Sequence, residues 1–181
     1  MRDCANPGNT WLAGHPTSNK FPAHWTKYQL QLATGFSDRC GWWAMRIAEG
    51  AVDHYLSKKF HRHLAYEWRN YRYISPSVNS SKRNLDDQIL DPFDVQAGWF
   101  EVLLPSMLLK RTALVPPSLQ AKADFTIKRL RLVRGHKVRR NRRIWYDDYK
   151  SGLITKAGLR EYAPLVAEAV DRWEATGNPL P

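Results

Sequence analysis

Four polar side chains, Asp53, His54, Asn70 and Asn79, follow one another in a single stretch of the sequence. A histidine with a pKa near neutrality can accept a proton from water. A hard divalent ion such as Mg²⁺ prefers oxygen ligands, which the carboxylate of Asp53 and the carboxamide of Asn79 supply. Because the protein supplies only these two ligands, the ion keeps open positions for water and phosphate oxygens. The pattern therefore predicts a phosphodiester-hydrolysing site with one divalent ion.

Short extended segments and a helix must position these groups. Asp53 and His54 are neighbours on a predicted strand, so their side chains leave opposite faces unless the strand ends and twists there. Glu49-Gly50 is a good two-residue turn, and we expect it to join strands at 42–47 and 51–55 as a hairpin.

A second strand and a helix follow in the sequence. The aromatic-rich segment predicts a strand around Tyr71 to Ile74, which Ser75-Pro76-Ser77 then breaks. A helix that begins near Ser77 would carry Asn79 on its first turn and continue to Lys82. The second metal ligand is therefore expected at the start of a packed helix.

Three pieces of this stretch resemble the HNH endonuclease motif of the ββα-metal superfamily. They are Val52-Asp53-His54-Tyr55, Tyr66-Glu67-Trp68-Arg69-Asn70-Tyr71 and Asn79-Ser80-Ser81-Lys82. They are similar to the bacterial branch written Val-Asp-His-Phe, Pro-Lys, Tyr-x-Trp-x-Asn-Tyr and Cys-x-x-Cys-Asn-x-x-Lys. The resemblance covers residues 40 to 92, less than a third of the chain.

The resemblance implies a role for each polar residue. His54 would be the general base, and Asn70 would brace the loop that positions His54. Asp53 and Asn79 would hold one Mg²⁺ or Mn²⁺ ion. Lys82 matches the trailing lysine of the motif and would contact phosphate, and Lys58 is a weaker candidate for the same task.

Many relatives of this motif carry a structural zinc between two Cys-x-x-Cys pairs. Here the corresponding positions are Cys40, Trp43, Ser75 and Val78, so three of the four zinc ligands are replaced. We therefore expect no structural zinc, and we expect Trp43 and Val78 to replace the metal with apolar packing.

Positive charge is concentrated in two windows of the 181-residue chain, which has 28 Lys and Arg against 17 Asp and Glu. Residues 58–83 contain Glu67 as their only acid, and residues 122–143 contain only Asp124. A solvated helix face normally interleaves both signs, whereas clusters of one sign favour phosphate binding. The residues expected to bind nucleic acid are Lys58, Lys82, Arg83, Arg139, Arg140, Arg142 and Arg143.

The pattern of elements predicts an α+β protein. Residues 1–36 would form an arm, irregular up to residue 23 and then a short helix that Gly35 ends. Residues 37–95 would form the ββα-metal core, and residues 96–181 a mostly helical, basic region. Helices are predicted in that region at 119–134, 139–149 and 155–173.

The resemblance implies a metal-dependent endonuclease that cuts DNA, with a role in phage defence or mobile-element biology. RNA stays open as a second substrate. One alternative is a non-catalytic, HNH-like nucleic-acid-binding module. Another is a subunit of a larger nucleoprotein complex, with a partner protein or a second copy docked on residues 99–109. The sequence has neither a signal-peptide core nor a membrane-spanning run, so we expect a cytoplasmic protein.

Overall fold

The computed structural model describes residues 5–181 of the protein, and Cys4 lies outside this range. The fold is α+β, as predicted, with 46% of residues helical and 11% in strands. The strands form three antiparallel pairs. The strands of the described residues are β1 (Arg39–Cys40), β2 (Met45–Arg46), β3 (Ala51–His54), β4 (Tyr71–Ile74), β5 (Phe100–Leu103) and β6 (Leu108–Arg111). The helices of the same residues are α1 (Ala5–Gly14), α2 (Gln29–Gly35), α3 (Pro76–Lys82), α4 (Pro117–Arg129), α5 (His136–Lys150), α6 (Lys156–Tyr162) and α7 (Pro164–Glu174).

The centre of the fold is the antiparallel pair β3–β4 followed directly by α3. Asp53 lies opposite Arg72 and His54 opposite Tyr71 in the register of the two strands. The chain turns from β4 into α3 at Ser75, whose side chain accepts a hydrogen bond from the amide of Val78. A proline in the first turn and this cap explain why the helix begins here.

The hairpin predicted across Glu49-Gly50 is wrong, because β2 pairs with β1 and β3 pairs with β4. Gly50 serves close packing instead of a hairpin turn. A Cβ atom at this position would lie 2.3 Å from the ring of Tyr73. The β1–β2 pair lies beside β4, since the amide of Gly41 donates to the carbonyl of Tyr73 at 2.9 Å.

Two apolar clusters cross the predicted part boundaries at residues 36 and 95. The larger cluster joins Val78 of α3 to Val102, Ile127 and Val170 of the C-terminal region. The second cluster packs the N-terminal segment on the β3–β4 unit through Trp25, Leu32, Ala65, Tyr66 and Tyr71. The β3–β4–α3 unit therefore packs against both the N-terminal segment and the C-terminal region.

The helix predictions succeed in outline and fail at two places. Helix α2 ends at Gly35 as predicted. Helices α4 and α5 overlap the predicted ranges 119–134 and 139–149, although α4 begins two residues earlier and ends five residues earlier, and α5 extends beyond its range at both ends. The helix predicted at 155–173 is two helices, because Pro164 begins α7 after Ala163 has left helical geometry. Residues 5–14 of the arm predicted to be irregular form α1.

No helix of the described residues has both the length and the apolar character needed to cross a bilayer.

Candidate active site

One cleft brings together three of the sequence-predicted site residues. Asp53, His54 and Asn79 all line a cavity of about 840 Å³, although Asn79 is far from the other two in the sequence. Among the lining residues of the described chain, Asp53 is the only acid, so the walls favour an anionic ligand. We call this cavity the cleft, and its lining residues are Asn19, Phe21, Trp25, Val52, Asp53, His54, Ser57, Lys58, Lys59, Phe60, Asn79, Arg83 and Asn84.

The ring of His54 is held in one orientation at the end of β3. Its Nε2 atom lies 2.8 Å from the carbonyl oxygen of Ala65, which also accepts a hydrogen bond from the hydroxyl of Tyr71 at 2.9 Å. Trp25 packs edge-on against the imidazole, with 4.6 Å between the ring centroids. A carbonyl oxygen can only accept, so Nε2 carries the hydrogen. The Nδ1 atom is therefore left as the acceptor.

The environment of His54 keeps the ring neutral at ordinary pH. Burial lowers the pKa of His54 to about 4, against an opposing effect of the Ala65 carbonyl. The ammonium groups of Lys58 and Lys82 lower this pKa further. The neutral ring leaves Nδ1 able to accept a proton, but a pKa of about 4 is below the near-neutral value expected from the sequence and makes the imidazole a weaker base.

Asn70 braces the loop between β3 and β4, residues 55–70. Its side-chain amide donates to the carbonyls of Leu56 at 2.8 Å and Leu64 at 3.2 Å, and its side-chain oxygen accepts from the amide of Leu56 at 2.8 Å. These three bonds close the loop that also carries Ala65. Asn70 is buried and does not line the cleft, so it positions His54 through the backbone.

Lys82 lies in the interior, which corrects its predicted contact with phosphate. Its side chain has no exposed area. The ammonium lies 3.3 Å and 3.2 Å from the two carboxylate oxygens of Asp53 and donates to the carbonyl of His54 at 2.7 Å. A buried ammonium requires such partners. Lys82 therefore ties the end of α3 to the end of β3.

The carboxylate of Asp53 is buried and only partly satisfied. Burial raises the pKa of Asp53 to about 6, although the ion pair with Lys82 acts in the opposite direction. Its Oδ2 atom lies close to the Lys82 ammonium but has no hydrogen bond. Desolvation therefore outweighs the ion pair, and Oδ2 is a buried carboxylate oxygen whose one close polar neighbour among the described residues is the Lys82 ammonium.

The two predicted metal ligands at the cleft, the carboxylate of Asp53 and the carboxamide of Asn79, offer the oxygen donors that a hard divalent ion prefers. Asn79 is exposed on α3 and lines the same cleft as Asp53. The described residues contain no group of three or more His, Cys, Asp or Glu side chains with metal-binding geometry. An ion here would therefore take its remaining ligands from water or substrate, as Mg²⁺ commonly does.

Lys58 and Arg83, both predicted from the sequence, lie on the walls of the cleft. The ammonium of Lys58 lies 3.9 Å from the ring centroid of Trp25, and burial lowers the pKa of Lys58. Arg83 is exposed and follows α3 with φ of 52° and ψ of −126°. A non-glycine residue held in this conformation is strained, and such residues cluster at ligand sites.

The arginines of α5 are mostly engaged within the protein. Arg142 is 1% exposed and donates to the carbonyls of Met107 and Leu132, each at 3.0 Å, so its predicted contact with nucleic acid is corrected. Arg139 donates to the carbonyl of Ser106, and Arg143 donates to that of Pro105. Arg140 is exposed.

The side chains of Cys40, Trp43, Ser75 and Val78 lie together at one corner of the core. The buried thiol of Cys40 accepts a hydrogen bond from the amide of Ser75 at 3.3 Å, and burial raises the pKa of this thiol. Trp43 and Val78 are buried in the same apolar cluster as Cys40. The predicted apolar packing of these two side chains is confirmed.

Sequence reasoning missed the residues that shape the loop side of the cleft. The carboxylate of Asp86 accepts from the amide of Ser57 at 2.6 Å and from its hydroxyl at 3.0 Å. The turn fixed in this way presents Phe60 to the cleft. Trp25 comes from the N-terminal segment. In the sequence, only Lys58 and Lys59 next to Phe60 indicated this side of the cleft. The contacts of Asp86 and Trp25 join segments that are distant in the sequence, so no local pattern reveals them.

A scan against protein-family models, a search of curated proteins and a search of solved structures found no match to this chain.

Proposed function

We propose that the protein is a divalent-metal-dependent endonuclease of the HNH type, which hydrolyses phosphodiester bonds in DNA. One observation carries the proposal: His54, Asp53 and Asn79 line a single basic cleft. The order of β3, β4 and α3, with a braced loop between the strands, supports a ββα-metal core.

His54 would act as the general base through Nδ1. The hydrogen bond from Nε2 to Ala65 fixes the tautomer, so the proton of an attacking water goes to the free nitrogen. The imidazolium that forms lies next to the carboxylate of Asp53 in the sequence and the cleft. Burial of the ring favours return of this proton to water or product, because the charged form is poorly solvated.

Asp53 and Asn79 are the residues that would hold the metal ion. A bound divalent ion supplies charge stabilisation at the phosphate and at the leaving 3′ oxygen. Lys58, Lys59 and Arg83 supply positive charge along the cleft walls and would bind the phosphates on either side. The expected products are 5′-phosphate and 3′-hydroxyl ends.

The test is plasmid nicking by the wild-type protein and by His54→Ala, with Mg²⁺, with Mn²⁺ and with chelator. Loss of a general base is expected to slow cleavage by about 10²- to 10⁴-fold while DNA binding persists. His63→Ala is the matched control, because His63 is an exposed histidine of the same loop that does not line the cleft. Equal cleavage by His54→Ala and wild type contradicts the proposal.

A second candidate is a nucleic-acid-binding module without catalysis. The ion pair of Lys82 with Asp53 favours it, because an ammonium already neutralises the predicted metal ligand. Calorimetric titration with Mn²⁺ separates the two candidates. The endonuclease binds the ion and loses this binding in Asp53→Asn, whereas a module that only binds DNA takes up no ion and needs none for DNA affinity.

A further inference from the structure

A solvent-exposed aromatic ring lies on the side of the cleft formed by the loop of residues 55–70. Phe60 is 62% exposed, and it lines the same cavity as His54 and Asn79. Single exposed apolar residues are common on protein surfaces and need no explanation by themselves. Phe60 differs from such residues because its backbone is held by hydrogen bonds and because its ring lies close to cationic side chains.

Hydrogen bonds hold the turn that presents Phe60. The carbonyl of Ser57 accepts from the amides of Phe60 at 3.1 Å and His61 at 2.8 Å. Ser57 itself donates twice to the buried carboxylate of Asp86. The ring is therefore attached to a backbone ordered before any ligand arrives, which reduces the entropy lost when a ligand stacks on it.

Cations and aromatic rings lie side by side along this loop. The ammonium of Lys59 is 5.0 Å from the centroid of Phe60, and that of Lys58 is 3.9 Å from the centroid of Trp25. Single-stranded nucleic acid offers the matching pattern of a phosphate beside an unstacked base. A duplex keeps its base faces stacked inside and offers no face to such a ring.

We propose that the cleft takes a single-stranded or locally unpaired segment of DNA, with one base stacked on Phe60 and the adjoining phosphates bound by Lys59 and Arg83. This inference rests on the proposed nuclease function and names its substrate class. The cavity of about 840 Å³ lies in the range of about 300–1,000 Å³ that encloses compact organic ligands, which suits one or two nucleotides. The amides of Asn19 and Asn84 provide donors and acceptors for base edges on the same walls.

The experiment measures binding of oligothymidylate, about a dozen nucleotides long, and of a duplex of the same length, by fluorescence anisotropy in chelator. Phe60→Ala is expected to weaken single-strand binding by about 5- to 100-fold and duplex binding by less than about twofold. Phe60→Trp should keep or tighten single-strand binding. Phe125→Ala is the control, because Phe125 is an exposed phenylalanine outside the cleft, on α4.

A second readout reports the stack directly. Quenching of 2-aminopurine placed within the oligothymidylate should be present with wild type and Phe60→Trp and lost with Phe60→Ala. Equal losses on both DNA forms, unchanged single-strand affinity, or no binding of single strands by wild type overturns the inference. Because binding is read without metal, this result is independent of whether His54→Ala abolishes cleavage.

Discussion

The β3–β4–α3 unit and helix α5 are both rich in basic residues, yet the fold uses their charges in different ways. Around the cleft, Lys58, Lys59 and Arg83 remain on the walls, where an anion can reach them. Two cations of this unit lie in the interior, where Lys82 pairs with Asp53 and Arg72 pairs with Asp91. The unit therefore combines two structural charges with several that face a ligand.

Helix α5 shows the reverse arrangement. Arg139, Arg142 and Arg143 donate to backbone carbonyls of the turn between β5 and β6, at residues 105–107. Unpaired carbonyls of a tight turn need donors, and a guanidinium offers several in one plane. Arg140 remains exposed. The run of arginines on α5 thus combines side chains that support the fold with one that is exposed to solvent.

The largest effect is expected from breaking the buried ion pair between Lys82 and Asp53. Lys82→Met leaves the carboxylate of Asp53 buried without a partner, and we expect a loss of about 3–5 kcal/mol in the free energy of unfolding. This loss is measured by urea denaturation in chelator at a pH well above the pKa of Asp53. The double variant Asp53→Asn/Lys82→Met should recover most of it. A loss under about 1 kcal/mol in the single variant would show that the pair behaves as a surface ion pair.

Titration of the cleft sharpens the comparison, because the pKa values of Asp53 and His54 are shifted in opposite directions. Asp53 has a pKa raised to about 6 in the folded state, so its contribution to stability is full below its unfolded pKa near 3.8 and is lost as pH rises through 6. His54 has a pKa lowered to about 4, so its contribution is full above its unfolded value of 6.5 and is lost as pH falls through 4. The two contributions oppose each other between about pH 4 and 6.

Removal of one of these two side chains should reveal the pH dependence of stability that the other causes. In Asp53→Asn/Lys82→Met the free energy of unfolding should increase by about 2–3 kcal/mol as pH rises from 4 to 6.5, because His54 remains. In His54→Ala it should decrease between about pH 4 and 6, because Asp53 remains. Wild type should change least. Urea denaturation in chelator at several pH values across this range measures the free energy of unfolding of all three proteins. If this free energy changes with pH in the same direction in both variants, the opposing contributions of Asp53 and His54 are contradicted.

The smallest effects are expected on α5, where two arginines form a matched pair. Arg142→Met removes two hydrogen bonds to carbonyls, partly offset by removal of a buried charge, and should lower the free energy of unfolding by about 1.5–3 kcal/mol. Arg140→Met should change stability by less than about 0.5 kcal/mol. If Arg140 binds phosphate, its loss lowers the salt dependence of DNA affinity by about one ion, and Arg142→Met leaves it unchanged.

Thermal or urea unfolding and anisotropy over a salt series check this pair. A reduced salt slope in Arg142→Met would mean that the helix moves to expose this side chain. Equal stability losses in the two variants would remove the distinction between structural and ligand-facing arginines on α5.

Local signals in the sequence predicted much of the site. The strand at Tyr71–Ile74 and the helix through Asn79 follow from breakers and caps that lie within a few residues of each other. Gly35 ends α2 for the same reason. The convergence of Asp53, His54 and Asn79 on one cleft was expected from their types and order.

Contacts between distant segments were beyond such reasoning. Gly50 resembles a turn residue, but its role is to admit the ring of Tyr73 from β4. Lys82 resembles a surface cation, and only the tertiary fold brings it to Asp53. Pro7 and Gly8 resemble helix breakers, yet a proline is tolerated in the first turn of α1.

The proposed double role of the His54 ring limits what else this position accepts. One ring nitrogen donates to the carbonyl of Ala65, and in the proposed mechanism the other ring nitrogen must be free to accept a proton. Among the twenty amino acids, only histidine carries both functions on one rigid ring. Glutamine or asparagine keeps the donor on a flexible amide but cannot accept a full proton near neutral pH. Position 54 therefore has no chemically conservative exchange, even though its side chain is almost hidden from solvent.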